Sequence, residues 1–209
     1  MLGLLLIALA GASHGQSSPE AKPLVAKVIA AAGGEDKLLR LFRMKEEYHS
    51  GSEPLPPGGK SSKRESVLEA PGYWWLGKKD RTGEPAKFDV WAWTLVAFTD
   101  AKTKVDVIPD IIDGEQTLFG LRLSYTINPG MDLYFDKELN RLVRLDWRGD
   151  IYRFSEWKEH DGAKYAAKTV LYKKSTGKPW FYHEIISLER LTELPAGLTR
   201  EVAVTEPKK

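Results

Sequence analysis

The sequence predicts an α+β fold, in which a strongly curved antiparallel β-sheet forms a half-barrel and N-terminal and middle helices cover its concave face. The first observation is the alternation of apolar and polar side chains between residues 117 and 191, as in Leu121, Arg122, Leu123, Ser124 and Tyr125. A period of two indicates strands with one buried and one solvated face. The second observation is that the helical patterns are few and short. A long one-faced sheet must curl to bury its apolar side against so few helices.

Residues 1–15 have the features of a secretory signal peptide. Residues 2–10 form an uncharged apolar run that is too short to span a bilayer comfortably, and small residues follow it. No Lys or Arg precedes the run, and a buried terminal strand or helix is the alternative interpretation. We expect cleavage after Ala12 or Gly15 and a periplasmic or secreted protein. Residues 16–200 would then form one domain, followed by a polar tail at 201–209.

The mature chain is predicted to begin with two short amphipathic helices. The apolar stripe of the first helix consists of Leu24, Val25, Val28, Ile29 and Ala32. Pro23 is typical of the first turn of a helix, and Gly33 and Gly34 can end the helix because glycine accepts a positive φ. A second apolar group after the glycines comprises Leu38, Leu41 and Phe42. Neither helix would be stable alone, so we expect each to bury its apolar side against another part of the protein.

The next segments are predicted to be strands separated by loops. Residues 44–50 can form a first strand, whereas the three prolines within 51–59 predict a loop, since proline cannot donate to a sheet. Residues 60–68 are predicted to form a polar strand. Residues 73–76, three of which are aromatic, are predicted to form another strand, which a charged, turn-rich segment ends.

Residues 88–98 are the most ambiguous segment of the chain. Trp91, Leu95 and Phe98 have the spacing of a helix, whereas the residues between them also alternate as in a strand. We favour a helix, which becomes the middle helix of the predicted half-barrel.

From residue 104 onward the chain is predicted to be a series of hairpins. Asp113-Gly114 and Asp161-Gly162 are strong turn signals, because Asp and Gly tolerate the positive φ that tight hairpin turns need. A four-residue loop at 137–140 and a turn at 175–177 separate the remaining strands. The predicted strands cover residues 105–107, 116–126, 133–136, 141–147, 151–159, 165–173 and 180–191.

The composition argues against several classes of function. The chain has no cysteine, which removes disulfides, thiolate metal sites, cysteine nucleophiles and a lipidated cysteine anchor. Its 31 Lys and Arg are interspersed with 29 Asp and Glu, so no basic face for nucleic acid is expected. The four histidines lack metal-ligand spacing and no phosphate-binding loop occurs, so neither a metal nor another cofactor is expected. After signal cleavage we expect no membrane-spanning segment.

Enzymatic interpretations carry less weight than the structural alternatives. Residues 11–15 match the Gly-x-Ser-x-Gly pattern of hydrolase nucleophiles, but a signal-peptide cleavage site explains the small residues there. Tyr182, His183 and Glu184 could form a surface group, although an ordinary cross-strand polar pair explains His183 as well. Seven tryptophans and many carboxylates leave a polymer hydrolase open, but the sequence does not show which carboxylates are close together.

Three short stretches carry a family resemblance. Residues 25–42 have a helix-Gly-Gly-helix layout, residues 142–145 read Leu-Val-Arg-Leu, and residues 157–165 read Trp-Lys-Glu-His-Asp-Gly-Ala-Lys-Tyr. This layout resembles the LolA-like group of bacterial periplasmic proteins, and most of all a set of uncharacterised exported bacterial proteins. The resemblance implies a half-barrel with helices on its concave face and, as in lipoprotein carriers of the group, acyl chains held between sheet and helices. It assigns no functional residue to this chain.

The leading hypothesis is a non-enzymatic exported protein that binds a lipid, a lipoprotein acyl chain or another apolar ligand. A curved sheet that helices fill incompletely leaves an apolar cavity, which is the usual form of a small-molecule site. Trp91, Leu95, Leu145 and Trp147 are the candidates for its lining. Two alternatives stay open: a protein–protein interaction module of the cell envelope, and a hydrolase that acts on an envelope polymer.

Overall fold

The computed structural model describes residues 17–200, which form one open antiparallel sheet of eleven strands with two α-helices. The helices are α1 (Ala21–Ala31) and α2 (Lys87–Trp93), with short 3₁₀ turns at Glu35–Lys37 and Val96–Thr99. The strands are β1 (Leu41–Ser50), β2 (Ser62–Glu69), β3 (Tyr73–Leu76), β4 (Lys79–Asp80), β5 (Lys104–Asp113), β6 (Gln116–Ser124), β7 (Met131–Asp136), β8 (Leu142–Trp147), β9 (Asp150–His160), β10 (Ala163–Lys173) and β11 (Pro179–Arg190). None of the helices in this part of the chain is long and apolar enough to span a membrane. The predicted signal peptide, its Gly-x-Ser-x-Gly match and the polar tail lie outside the described residues.

The first and last strands lie side by side in the middle of the sheet. The strand order is β4-β3-β2-β1-β11-β10-β9-β8-β7-β6-β5, and every neighbouring pair is antiparallel. β1 pairs with β11 from Phe42 opposite Arg190 to Ser50 opposite Phe181, which joins the two ends of the described chain. The prediction of an α+β fold with a long antiparallel sheet is confirmed.

The sheet curves around α2, as the contacts of that helix show. Trp93 packs against Phe42 of β1, with 5.9 Å between ring centroids, and against Tyr165 of β10 at 6.5 Å. Phe88, in the first turn of the same helix, packs against Trp147 of β8 at 6.0 Å. β1 and β8 are four strand spacings apart, which is about 19 Å in a flat sheet. A helix only about 10 Å across contacts both strands, so the sheet forms the predicted half-barrel.

The hairpins that the turn signals predict are confirmed. Asp113 is the last residue of β5 and Gly114 begins the turn to β6, and Asp161-Gly162 joins β9 to β10 with φ values of 48° and 80°. At the start of the loop between β7 and β8, Asp136 Oδ1 accepts hydrogen bonds from the backbone N–H groups of Glu138 and Leu139. Local turn chemistry therefore specifies the connections of the meander.

Two local predictions are wrong. Leu41 and Phe42 are predicted to lie in a second helix, but they begin β1, and the helical turn after the glycines is limited to Glu35–Lys37. β1 has a hydrogen-bonded neighbour on each side and Phe42 is fully buried, so sheet pairing outweighs a weak three-residue stripe. Tyr125 is predicted to lie on the apolar face of a strand, yet β6 ends at Ser124. Tyr125 has a φ of 71° and is 64% exposed.

The middle segment is helical, as favoured from its spacing, with a break near its end. α2 ends at Trp93, and Leu95 adopts a left-handed φ of 61° before the 3₁₀ turn begins. The break reorients the chain, so that residues on both sides of it, including Trp91 and Val96, are buried against the sheet.

Candidate functional site

A cavity of about 250 Å³ lies between α2 and the concave face of the sheet, where residues of β1, β2, β3, β9, β10 and β11 meet. The apolar part of its wall includes Met44, Trp74, Val90, Trp93, Leu171 and Phe181. The polar part includes Glu46, Arg64, Asp89, Asp150, Tyr152, Thr169, Trp180 and His183. Apolar walls around a few convergent polar groups are typical of small-molecule sites.

Strand register brings the polar groups together. β1 places Met44 and then Glu46 on its concave side, because alternate residues of a strand share a face. Arg64 of β2 lies directly opposite Glu46. On the other edge of β1, the strand β11 contributes His183, which lies opposite Tyr48. Three neighbouring strands therefore supply an acid, a base and a histidine to one end of the cavity.

Glu46 is a fully buried carboxylate with both oxygens hydrogen-bonded. Its Oε1 accepts from Arg64 Nη2 at 2.8 Å and from His183 Nε2 at 2.6 Å. Its Oε2 accepts from Ser66 Oγ at 2.6 Å. Burial by itself raises the pKa of Glu46, but the hydrogen bonds and charges of His183 and Arg64 outweigh burial and lower this pKa to about 2. The carboxylate is therefore ionised at neutral pH, and His183 Nε2 is the donor of their shared hydrogen bond.

Asp89 of α2 and Arg64 of β2 contribute unpaired polar atoms. Asp89 Oδ1 and Arg64 Nε are both buried, and neither has a hydrogen-bond partner among the described residues. Burial raises the pKa of Asp89 to about 7. The nearby backbone N–H groups of Asp89 and Val90 and the Arg64 guanidinium oppose this rise, and the charge of Glu46 reinforces it. The rings of Tyr48 and Trp74 flank Arg64, whose Cζ lies 4.9 and 5.9 Å from their centroids. Two residues of the cavity wall thus carry an unpaired acceptor and an unpaired donor, and packing restrains the donor.

The four residues predicted to line the ligand site, Trp91, Leu95, Leu145 and Trp147, are all buried in the core between the sheet and the helices. None of them is part of the wall of the 250 Å³ cavity, and Trp91 borders a separate void of about 10 Å³. Trp147 Nε1 donates to the carbonyl oxygen of Pro129 at 2.8 Å. The structure brings the four side chains into one packed cluster, and their contact with a ligand stays a prediction.

Sequence reasoning missed Glu46, Arg64 and Asp89. The signal for Glu46 is its position in the apolar phase of β1, because an unpaired carboxylate on a buried face is rare. Arg64 lies in a polar strand and Asp89 in an ambiguous segment, so neither has such a signal. His183 is a cross-strand polar partner rather than part of a surface group with its chain neighbours, because its Nε2 bonds to Glu46 of β1.

Two further spaces lie near the surface of the described residues. A groove of about 620 Å³ runs beside α1, with apolar lining residues Ala21, Val25, Ala26, Ile29, Phe98 and Val105. A depression of about 370 Å³ involves Leu55 of the 51–61 loop together with residues of β1, β10 and β11. The groove offers more apolar space, but the cavity under α2 is where buried, unpaired polar atoms converge.

The Glu46 network is not arranged as a metal centre or as a hydrolytic triad. No cluster of three or more His, Asp or Glu side chains suited to a metal occurs within residues 17–200. Ser66 and His183 both bond to Glu46, so the carboxylate lies between the hydroxyl and the imidazole. In a hydrolytic triad the imidazole lies between the other two groups and takes the proton of the hydroxyl. The network therefore does not activate Ser66 as a nucleophile.

Comparison with known proteins identifies the fold. No protein-family model matches the sequence, and no curated protein matches it. Among solved structures, a LolA superfamily protein from Nitrosomonas europaea is similar, with a TM-score of 0.51 and 8% identity over 80% of this chain and 93% of that chain. This chain has the LolA-like fold.

Two further solved structures are similar to this chain. A domain from Vibrio parahaemolyticus named for outer membrane lipoprotein sorting has a TM-score of 0.53 and 13% identity over 83% of this chain and 93% of its own. A DUF1329 family protein from Desulfovibrio piger has a TM-score of 0.53 and 9% identity over 86% of this chain and 95% of its own. The resemblance found in the sequence is confirmed as a likeness of fold, and at these identities it assigns no ligand.

Proposed function

We propose that this LolA-like chain is an exported, non-enzymatic protein that binds a lipid or another apolar ligand between its sheet and covering helices. The observation that supports this most directly is the cavity under α2, where aromatic and aliphatic side chains surround a polar end. Ligand pockets have volumes of roughly 300–1,000 Å³. A cavity of about 250 Å³ therefore fits the head and the first part of an amphiphile better than a whole lipid.

Further observations support an apolar ligand. The groove beside α1 offers about 620 Å³ of additional space with a largely aliphatic lining. The signal peptide predicted at residues 1–15 would place the chain in the periplasm or outside the cell, where an apolar molecule needs a carrier to cross water. One protein of the same fold is named for outer membrane lipoprotein sorting, so a lipoprotein acyl chain is one candidate ligand.

Binding of a dansyl-labelled fatty acid tests the proposal, together with native mass spectrometry of protein purified from its own envelope. We expect saturable probe binding and a co-purified lipid. Val90→Trp adds a large ring to the cavity wall and is expected to weaken probe binding by about tenfold or more. Ile186→Trp, at a position that is half exposed, is the matched control and should bind normally. Absence of both probe binding and co-purified lipid would contradict the proposal.

A hydrolase of an envelope polymer is the second candidate, because two of the three carboxyl groups in the cavity wall, those of Glu46 and Asp89, have pKa values shifted in opposite directions. The pKa of Glu46 is about 2 and that of Asp89 about 7, and such a separated pair is typical of acid–base catalysis. Against this, both oxygens of Glu46 are already hydrogen-bonded to side chains. Turnover of an envelope glycan that is lost in Asp89→Asn would favour the hydrolase.

A further inference from the structure

We infer that the cavity under α2 selects amphiphiles with an uncharged head that both donates and accepts hydrogen bonds, such as the hydroxyl groups of a monoacylglycerol. This inference rests on the proposed function and names the ligand class of the same cavity. It follows from three features of the wall: which polar atoms are free, which charges surround them, and what the rest of the wall is made of.

Two fully buried polar atoms of wall residues, one acceptor and one donor, have no hydrogen-bond partner among the described residues. Glu46 has no oxygen without a partner, and the Nε2 of His183 is used in its bond to Glu46. Arg64 donates from Nη2 to Glu46, but its buried Nε–H has no partner among the described residues. Asp89 Oδ1 is also buried and has no partner among these residues. Buried polar groups without partners are costly, so a ligand that satisfies both atoms gains affinity. A hydroxyl group supplies both a donor and an acceptor.

The surrounding charges disfavour an ionic head. Glu46, Asp89 and Asp150 contribute three carboxyl groups from β1, α2 and β9, with Arg64 on β2 and His183 on β11 as the basic groups of the wall. Arg64 already forms an ion pair with Glu46, and Asp150 forms an ion pair at 2.8 Å with Lys173, which lies outside the wall. An anionic head would enter next to these carboxyl groups. A cationic head would lose its hydration beside the buried carboxyl group of Asp89, because burial disfavours the charged form of this group and raises its pKa.

The rest of the wall suits an alkyl chain. Met44, Leu171 and Phe181 come from three strands, and Val90 and Trp93 come from α2 above them. These side chains provide aliphatic and aromatic surface next to the free donor and acceptor. An amphiphile would therefore place its head at Arg64 and Asp89 and its chain between α2 and the sheet.

Three probes with the same lauryl chain test the inference: monolaurin, laurate and laurylamine, each competing with the dansyl-labelled fatty acid for the mature chain. At pH 6 we expect monolaurin to bind about tenfold more tightly than either ion. Asp89→Leu should abolish this preference, and Asp110→Leu, at an exposed aspartate, should retain it. In the original protein, laurate binding should weaken between pH 6 and pH 8 as Asp89 ionises. Asp89→Asn keeps an acceptor, so it should retain the preference for monolaurin, and its laurate binding should not weaken over this pH range.

The outcomes separate the inference from the proposed function. If none of the three probes binds, the proposed function fails and the inference fails with it. If all bind equally, if laurate binds best, or if the preference for monolaurin survives Asp89→Leu, the inference is overturned while the carrier function stands. If Asp89→Leu does not fold, the pH dependence of Asp89→Asn decides, and an unchanged pH dependence of laurate binding overturns the inference.

Discussion

Replacing Glu46 by glutamine tests whether the buried network stabilises the fold. Glu46→Gln keeps the shape of the side chain and removes the negative charge of the carboxylate, which accepts hydrogen bonds from Arg64, His183 and Ser66. The guanidinium of Arg64 then loses its ion-pair partner at a position where its side chain is 24% exposed. We expect the variant to fold and to be less stable than the original protein at neutral pH.

The pKa shift of Glu46 sets the size of this effect. Its pKa falls from 4.5 to about 2 on folding, and at about 1.4 kcal/mol for each unit the ionised carboxylate stabilises the fold by about 3 kcal/mol. A carboxyl group with a lowered folded pKa stabilises above its unfolded pKa and loses this stabilisation as the pH falls through the folded pKa. The contribution is therefore nearly complete at about pH 5, about half at pH 3 and almost absent at pH 2.

Urea unfolding at pH 7, pH 5 and pH 3 measures the free energy of unfolding of the original protein and of Glu46→Gln. The expected difference is about 3 kcal/mol at pH 7 and about half of that at pH 3. Glu47→Gln is the control, because Glu47 pairs with Lys63 at 2.9 Å on the solvated face and should matter little. A loss below about 1 kcal/mol at pH 7, or an equal loss at pH 7 and pH 3, would refute the reasoning.

Three further predictions concern stability. The pKa of Asp89 is about 7 in the folded protein and 3.8 in the unfolded chain, so ionisation of Asp89 destabilises the fold as the pH rises between these values. Asp89→Asn should therefore raise the thermal midpoint at pH 8 and change it little at pH 4. Gly33→Ala places a Cβ 1.9 Å from a carbonyl oxygen of the β9–β10 turn, whereas the Cβ of Gly34→Ala has no atom within 4 Å. Both glycines have a positive φ, so urea unfolding should show a larger loss of unfolding free energy for Gly33→Ala because of this clash. Leu145→Ala should cost about 2–5 kcal/mol and Ile112→Ala, at an 80% exposed residue, should stay within about 0.5 kcal/mol. Equal losses would contradict the placement of Leu145 in the core.

Local signals predicted most of the strands correctly. The Asp161-Gly162 turn and the alternation on both sides of it correspond closely to β9 and β10, because turn chemistry and side-chain period act between near neighbours in the chain. Local signals do not distinguish helix from strand at Leu41 and Phe42, since their short apolar stripe fits a helix equally well. Their conformation was decided by pairing with β2 and β11, and the last of these lies at the far end of the chain.

For the predicted lining residues too, the local pattern predicts burial, whereas the position of the cavity depends on the packing of distant segments. Leu145 and Trp147 lie on the apolar face of a strand, as the alternation predicts, and Trp91 and Leu95 are buried, as their helical spacing predicts. Which part of the concave face stays unfilled depends on how side chains from many strands fit together. That fit leaves the cavity beside β1 and β2 rather than beside β8, which the sequence pattern does not show.

By itself the sequence determined that this protein is an antiparallel sheet with one covered face and short helices, because alternation, turns and caps are properties of neighbouring residues. The tertiary structure alone decided the site. Glu46 meets Arg64, which is 18 residues away, and His183, which is 137 residues away. These contacts exist because the last strand pairs with the first and the sheet curves under α2. Such long-range pairing depends on the packing of the whole chain, so no local pattern specifies it.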